Sequence, residues 1–413
     1  MITTAGAAAH RARLAFLSMV CAYPALAAEP QWLADARARE GTVGALHAVT
    51  TPDKQVSFSL PVRLLDEVKD DGDFYLVNFQ LAPGVDGACD IFKDDIDVAA
   101  TLRGAAGTTF ANVIEPAQGN VQRKAVERID AELLGTTPVL TANWLYVVKA
   151  GDGNRIGGFR QVAASQAGHG VYCALVDLGY AKTFEQVIGA ILASLSPAAE
   201  FKAPYYREVT IASVKDMRIG FSQLELRRDG DGDTQVRDST TMLMTTTGDE
   251  LKSNDSVHLE WAHPDGSYIN GNHIVADNGE IEESVALKTG DHGHWLVDGK
   301  FKGQDVKEEI ESGEPTSWLG YTRLLRTVLA GDKPVGTEVS CDQWISADPG
   351  RLSQMKLKVL AALDAKSYSV RESIGGILAD LVVDASTGQT LSGTMDIGPT
   401  QIKMMRVLVQ GSP

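Results

Sequence analysis

Pro315-Thr316-Ser317-Trp318-Leu319-Gly320-Tyr321-Thr322-Arg323-Leu324-Leu325-Arg326-Thr327-Val328-Leu329-Ala330 is the stretch that decides how this chain is read. Trp318, Leu319, Leu324, Leu325, Val328 and Leu329 recur at helical spacing and mark one apolar face. Almost everything around it alternates instead. Strand patterns run at Val209–Val214, Ile219–Leu226, Thr241–Thr246, Val257–Trp261, Ile281–Leu287, His294–Val297 and Val335–Ser346. After the helix they resume at Leu357–Leu363, Tyr368–Arg371, Ile377–Asp384, Leu391–Ile397 and Ile402–Val409. Turn dipeptides separate them: Asp229-Gly230, Asp265-Gly266, Asn278-Gly279 and Asp298-Gly299. A long antiparallel sheet broken by one amphipathic helix predicts that the sheet curls and the helix packs into its concave face. The helix face is core, and it also forms the wall of any cavity there. Trp318, Leu325 and Leu329 are therefore the candidate ligand-binding residues.

Upstream the pattern changes. Gln31–Glu40 is a short amphipathic segment, and Val56–Pro61, Phe74–Phe79, Trp144–Val148 and Gly170–Leu178 read as strands. Asn120–Leu134 reads as a helix, and Gly151-Asp152-Gly153-Asn154 as a hairpin turn. A closing helix is expected after Thr183 as N-cap, with Gln186 at the capping-box position. Its buried face would carry Phe184, Ile188, Ile191, Leu192 and Leu195. This half is expected to be an α/β sandwich with its helices on one side of the sheet. Ser196–Pro204 holds two prolines around small residues, which makes a stiff extended linker. The expected fold class is α+β in two domains. A leader at 1–28 precedes an α/β sandwich at 29–197, a linker at 198–204, and a curved half-barrel-like sheet with one helix at 205–413.

Arg11 and Arg13 lead into the apolar run Leu14–Val20, which ends at Ala25-Leu26-Ala27. That is the layout of a secretory signal peptide cleaved near Ala27, and its apolar run is far below the ~20 residues of a membrane span. No later stretch is apolar enough to span either. Export by such a leader places the protein in the periplasm of a Gram-negative bacterium. Net charge is −16, which repels phosphate backbones and excludes nucleic acid as the expected partner. Beyond Cys21 in the leader there are Cys89, Cys173 and Cys341. In an oxidising compartment two should pair, and Cys89–Cys173 is favoured because both fall in the first domain.

The closing helix, of the type Phe184-x-x-Val187/Ile188 after the last strand, makes residues 50–196 resemble the PsbP-like fold family. The strand order and helix position of residues 205–411 resemble the half-barrel of the periplasmic lipoprotein carriers of the LolA/LolB type. The segment Trp295-Leu296-Val297-Asp298-Gly299-Lys300-Phe301-Lys302-Gly303, running into Pro315, stands closest to a signature. This second resemblance implies a concave apolar cavity suited to an acyl chain or another hydrophobic guest, and it assigns no functional residue.

Local chemistry is sparse. Asp229-Gly230-Asp231-Gly232-Asp233 has carboxylates at alternate positions, as a Ca²⁺ loop does. Thr234 and Thr240 stand where that loop needs Gly and Glu, so it reads as a hairpin turn. Five of the eight histidines lie between 258 and 294: His258, His263, His273, His292 and His294. If their strands were neighbours, His258, His292 and His294 with Glu260 could approach a metal such as Zn²⁺. There is no Gly-x-Ser-x-Gly elbow, Cys173 lies inside an apolar strand near His169, and no motif calls for a cofactor or names a catalytic residue. The expected function is a non-enzymatic binding or carrier protein of the envelope, its partner an apolar small molecule or an envelope protein. The alternatives are a metal-dependent hydrolase using the His258–His294 region and a structural envelope subunit.

Overall fold

The computed structural model describes residues 29–413 apart from 152, 246–249, 291–292 and 399. The leader at 1–28 therefore lies outside the described residues, as does His292. Two compact units emerge. One runs up to Lys202 and includes Leu243–Ser253; the other comprises Ala203–Met242 and Asn254–Pro413. Together they are α+β and mainly antiparallel β. No helix among the described residues is long and apolar enough to cross a membrane.

The first unit opens with α1 (Gln31–Arg37) and a separate hairpin of β1 (His47–Thr50) and β2 (Ser57–Leu60). Its main sheet is built from β3 (Arg63–Leu64), β4 (Lys69–Asp70), β5 (Phe74–Ala82), β6 (Val85–Phe92) and β7 (Val121–Leu134). It is completed by β8 (Thr137–Ala150), β9 (Gly153–Gln166) and β10 (His169–Leu175), in the order β3-β5-β6-β10-β9-β8-β7, with β4 on β5. The segment 121–134 is thus an edge strand, where its sequence predicts a helix. Two bulges, at Val121/Arg123 and Val126/Arg128, break the two-residue alternation and leave a spacing that imitates a helix. The helix lies just before it. α2 (Val98–Thr109) continues through a wide turn at Phe110–Ile114 into α3 (Glu115–Gln118).

Helices cover both faces of this sheet, correcting the one-sided arrangement. Phe110 meets Trp144, Tyr146 and Phe159 edge-on, with ring centroids 5.6–5.7 Å apart. Arg160, next to Phe159 on β9, points the other way and pairs with Glu185 of α4 (Ala181–Ser194) at 3.0 Å. On that face Phe184, Val187, Ile188, Ile191 and Leu192 pack against Tyr75, Val77, Phe79 and Ile91. Thr183 is not the cap of α4. Tyr180 stands at that position with φ 61°, and Glu40 reaches in from outside to accept the Lys182 and Thr183 N–H groups at 3.1 and 2.9 Å. Cys89 and Cys173 are directly opposite on β6 and β10 and form a buried disulfide.

The second unit contributes fourteen strands to one sheet. β11 (Tyr206–Val214), β12 (Met217–Arg228), β13 (Thr234–Thr245) and β14 (Leu251–Ala262) are followed by β15 (Tyr268–Asp277) and β16 (Glu280–Thr289). β17 (Trp295–Phe301) and β18 (Gln304–Ile310) complete the first meander, and α5 (Trp318–Leu329) follows. The second meander is β19 (Glu338–Trp344), β20 (Leu352–Ala362), β21 (Ser367–Ile374), β22 (Ile377–Asp384), β23 (Thr390–Ile397) and β24 (Thr400–Gly411). The order runs β18 back to β11, then β24 back to β19, so the two meanders join through a β11–β24 ladder and the sheet is not closed. β18 and β19 are its two edges. They nevertheless approach each other: Trp344 and Leu352 from one side share an apolar cluster with Val297 and Ile310 from the other. A side chain at Gly350 would collide with Glu308 of β18. The sheet has curled until its edges meet through side chains.

Two details differ from expectation. β15 and β18 are extra strands, one rich in Asn and Gly and one mostly charged. Asp298-Gly299 is not a turn but lies inside β17, where Gly299 leaves room for the Ser284 carbonyl of the neighbouring strand. The hairpin bends instead at Lys302-Gly303, both with positive φ (56° and 73°).

Candidate functional site

The helix face legible in the sequence is core. Ser317 caps α5, its Oγ accepting from Gly320 N at 3.0 Å and donating to Gly266 O at 2.6 Å. Trp318, Tyr321, Leu325 and Leu329 are buried, while Leu319, Leu324 and Val328 are half-buried. Trp318 lies against Tyr206, Leu224, Leu226 and Val236, its ring 6.2 Å from that of Tyr206. This contact defines the inner face of the sheet. α5, which follows β18 and precedes β19 in the chain, packs there against β11, β12 and β13.

Two polar assemblies sit under the helix. At its N-terminus Glu260 Oε1 accepts the Trp318 N–H at 2.6 Å, a buried carboxylate at the positive end of a helix. The other oxygen of Glu260 is 3.5 Å from His258 Nε2. The His258 ring is 6.0 Å from that of His273 and 6.3 Å from that of Trp344. His273 is wholly buried, and desolvation first, then His258, pushes its pKa well below the ordinary value. The Tyr268 phenol is driven well up by burial and by the charge of Glu260.

The second assembly was invisible in the sequence because its members are nearly two hundred positions apart. Tyr206 OH donates to Glu208 Oε2 at 2.7 Å, and Gln389 Nε2 donates to Tyr206 OH at 2.5 Å. Arg406 reaches Glu208 Oε2 at 3.4 Å and Gln389 Oε1 at 3.2 Å. Burial raises the Glu208 pKa, opposed by the bonds from Tyr206 and Arg406. Here the demand of each buried group is met by another.

Two phenols are left over. The hydroxyls of Tyr268 on β15 and Tyr321 on α5 are buried and have no hydrogen-bond partner among the described residues. Only the tyrosines themselves were available as a signal: an aromatic ring with a polar tip on a helix face and on a strand.

The histidines do not assemble as a group. His258 and Glu260 do share the inner face, and the β14–β15 ladder sets His273 opposite His258. His263 is instead on the surface, 2.9 Å from Asp233, and His294 lies 2.5 Å from Glu309. β14 and β17 are separated by β15 and β16. Among the described residues no group of three or more His, Cys, Asp or Glu side chains is placed to hold a metal ion. The Asp229–Asp233 loop is a hairpin turn in which Asp229 Oδ1 accepts from the N–H groups of Asp231 and Asp233, both at 3.0 Å. His169 lies 3.0 Å from the Phe92 carbonyl, and Cys173 is held in its disulfide, so neither forms a thiol–imidazole pair.

The buried state of His273 has a measurable consequence. Its folded pKa is below its unfolded value, so the unfolded chain binds the proton more readily and stability falls as pH drops below about 6.5. The expected slope from this group is about 1.4 kcal/mol per pH unit below that point. His273→Phe should remove that part of the slope; equal acid sensitivity in both proteins, followed by hydrogen exchange, would refute the assignment.

No family model matches the chain, and no curated protein does. Among solved structures it is similar to a beta-barrel-like protein of the domain of unknown function DUF1849 from Brucella abortus. Identity there is 11%, with 51% of this chain and 98% of that one covered and a TM-score of 0.39. It is also similar to a DUF1089 family protein from Pseudomonas aeruginosa, at 16% identity, 41% and 87% coverage and a TM-score of 0.25. A third is the cyanobacterial PsbP (CyanoP) of Synechocystis sp. PCC 6803, at 11% identity, 38% and 94% coverage and a TM-score of 0.25.

Proposed function

We propose that this chain is a non-enzymatic binding protein, exported to the periplasm, that holds its guest on the inner face of the second unit beside α5. One observation carries the reading. The Tyr268 and Tyr321 hydroxyls are buried without a protein partner, in a unit whose helix otherwise presents Trp318, Leu325 and Leu329. Leaving a buried hydroxyl unpaired costs roughly 1–3 kcal/mol, and a bound guest with a hydrogen-bonding group offsets that cost. The guest that fits is amphipathic, with an apolar body for the Trp318–Leu329 face and an acceptor for the phenols. A lipid-like molecule has both parts. The half-barrel plan of the lipoprotein carriers, a curved sheet with one helix laid across it, accords with this role. β18 and β19 are joined by side chains and by no hydrogen-bonded ladder, and that seam offers the route by which such a molecule would enter.

Native mass spectrometry on protein purified from the periplasm, followed by denaturing extraction, tests the reading. A lipid-sized adduct released on denaturation is expected. Tyr321→Phe, which keeps the ring and removes only the hydroxyl, should weaken retention about tenfold. A clean mass that persists after incubation with envelope lipid extract would overturn the proposal.

A further inference from the structure

A groove of ≈ 400 Å³ opens on the outer face of the sheet, beside the edge strand β19. The ladders set its side chains in two rows across four strands. The first row is Glu338, Lys358, Arg371 and Asp380. Its charges cancel in pairs: Lys358 bonds Glu338 at 2.5 Å, and the Arg371 fork holds both oxygens of Asp380 at 2.7 and 2.9 Å. The second row is Ser340, Lys356, Ser373 and Leu378. Here a cation stands between two hydroxyls, and Lys356 has no ion-pair partner among the described residues. Gln354, next on the same face of β20, adds an amide. Leu378 is half exposed at the end of the row.

The chemistry of the second row is selective. The one guanidinium fork in this groove, which would grip an anion in two-pronged fashion, is already bonded to Asp380. What remains is a compact ammonium with separate hydroxyl and amide donors around it, which suits a tetrahedral oxyanion with several free oxygens. Glu338 and Asp380 flank the site and repel an anion that strays from the Lys356 row. The apolar Leu378 surface gives the organic part of a ligand somewhere to lie. In a chain of net charge −16, a lysine set between two hydroxyls, with the carboxylate of Glu338 acting on it only from the neighbouring row, is a local reversal of the prevailing field.

We propose that this groove binds the phosphate monoester of a small organic molecule. Lys356 supplies the charge, Ser340, Ser373 and Gln354 the hydrogen bonds, and Leu378 the apolar contact. The site is on the opposite face from the guest proposed above and stands whether or not that guest exists.

Calorimetric titration of the full chain at low salt, with phenyl phosphate as the probe, tests it. Saturable binding is expected, about tenfold tighter than for inorganic phosphate because Leu378 covers part of the ring. Lys356→Gln, a change at an exposed position that leaves the fold intact, should weaken binding about tenfold or more, whereas Lys403→Gln on β24 should leave it unchanged. A parallel titration with phosphatidylglycerol vesicles separates a free ester from a lipid headgroup. Equal losses for both lysine variants would overturn the site, as would no saturation in the millimolar range. Equal affinity for inorganic phosphate would overturn the organic part, and binding confined to vesicles would overturn the free ester as ligand.

Discussion

Replacing Cys89 and Cys173 together by alanine will lower the stability of the first unit by about 4 kcal/mol. The bridge closes a loop of 84 residues, and the freedom it removes from the unfolded chain grows with the logarithm of that length. The link also ties β6 to β10, at the middle of the sheet, where both cysteines are buried between β5 and β9. Hydrogen exchange is the right measurement, because a two-unit chain has no single unfolding free energy and exchange reports each unit separately. Protection should drop across β5, β6, β9 and β10 and stay unchanged in β20–β22. A uniform loss over both units, or none, would show that the bridge does not act as argued.

Arg406→Met is expected to cost about 3–5 kcal/mol in the second unit at neutral pH. It strips the counter-charge from Glu208, which is almost fully buried and, among the described residues, keeps only the Tyr206 hydroxyl as a donor. Burial already raises the Glu208 pKa, and without Arg406 it rises further. A carboxyl whose folded pKa lies above its unfolded one destabilises the fold as pH rises through that folded value. The penalty of the single variant should therefore shrink on acidification. Glu208→Gln added to Arg406→Met should recover most of the loss, since no buried charge is then left alone. If the double variant is as unstable as the single one, the cost lies in packing and not in charge.

α5 was legible in the sequence because Trp318, Leu325 and Leu329 keep a helical period between a proline and a stretch of strands; its Ser317 cap was not anticipated. The Cys89–Cys173 pairing was legible from domain membership alone. α2 was not, because Val98–Thr109 is mostly Ala, Gly and Thr, with little difference between its faces. Its neighbour β7 was misread since two bulges hide the strand period in a charged edge. β18 was missed for a related reason: Gln304-Asp305-Val306-Lys307-Glu308-Glu309-Ile310 is an edge strand whose charges discourage further pairing. The site was half legible. His258 and Glu260 share a face by simple alternation, but Glu208 meets Arg406 only because β11 lies against β24, a pairing no local pattern announces.

That pairing also fixes an order in time. Each meander is built from neighbours in sequence and can form while the chain is short, but β11 must wait for residues roughly two hundred positions away. Until Gly411 arrives opposite Tyr206, the unit is two half-sheets with four bare edges, and the apolar Met405 and Val409 are on a strand paired with β23 on one side and bare on the other. The final dozen residues act as the closing stitch of the whole sheet. Their loss would remove the β23–β24 ladder together with the β11–β24 one, leave the remaining ladders available and strand the protein in a sticky, half-joined form, the kind of intermediate that a chaperone must shelter.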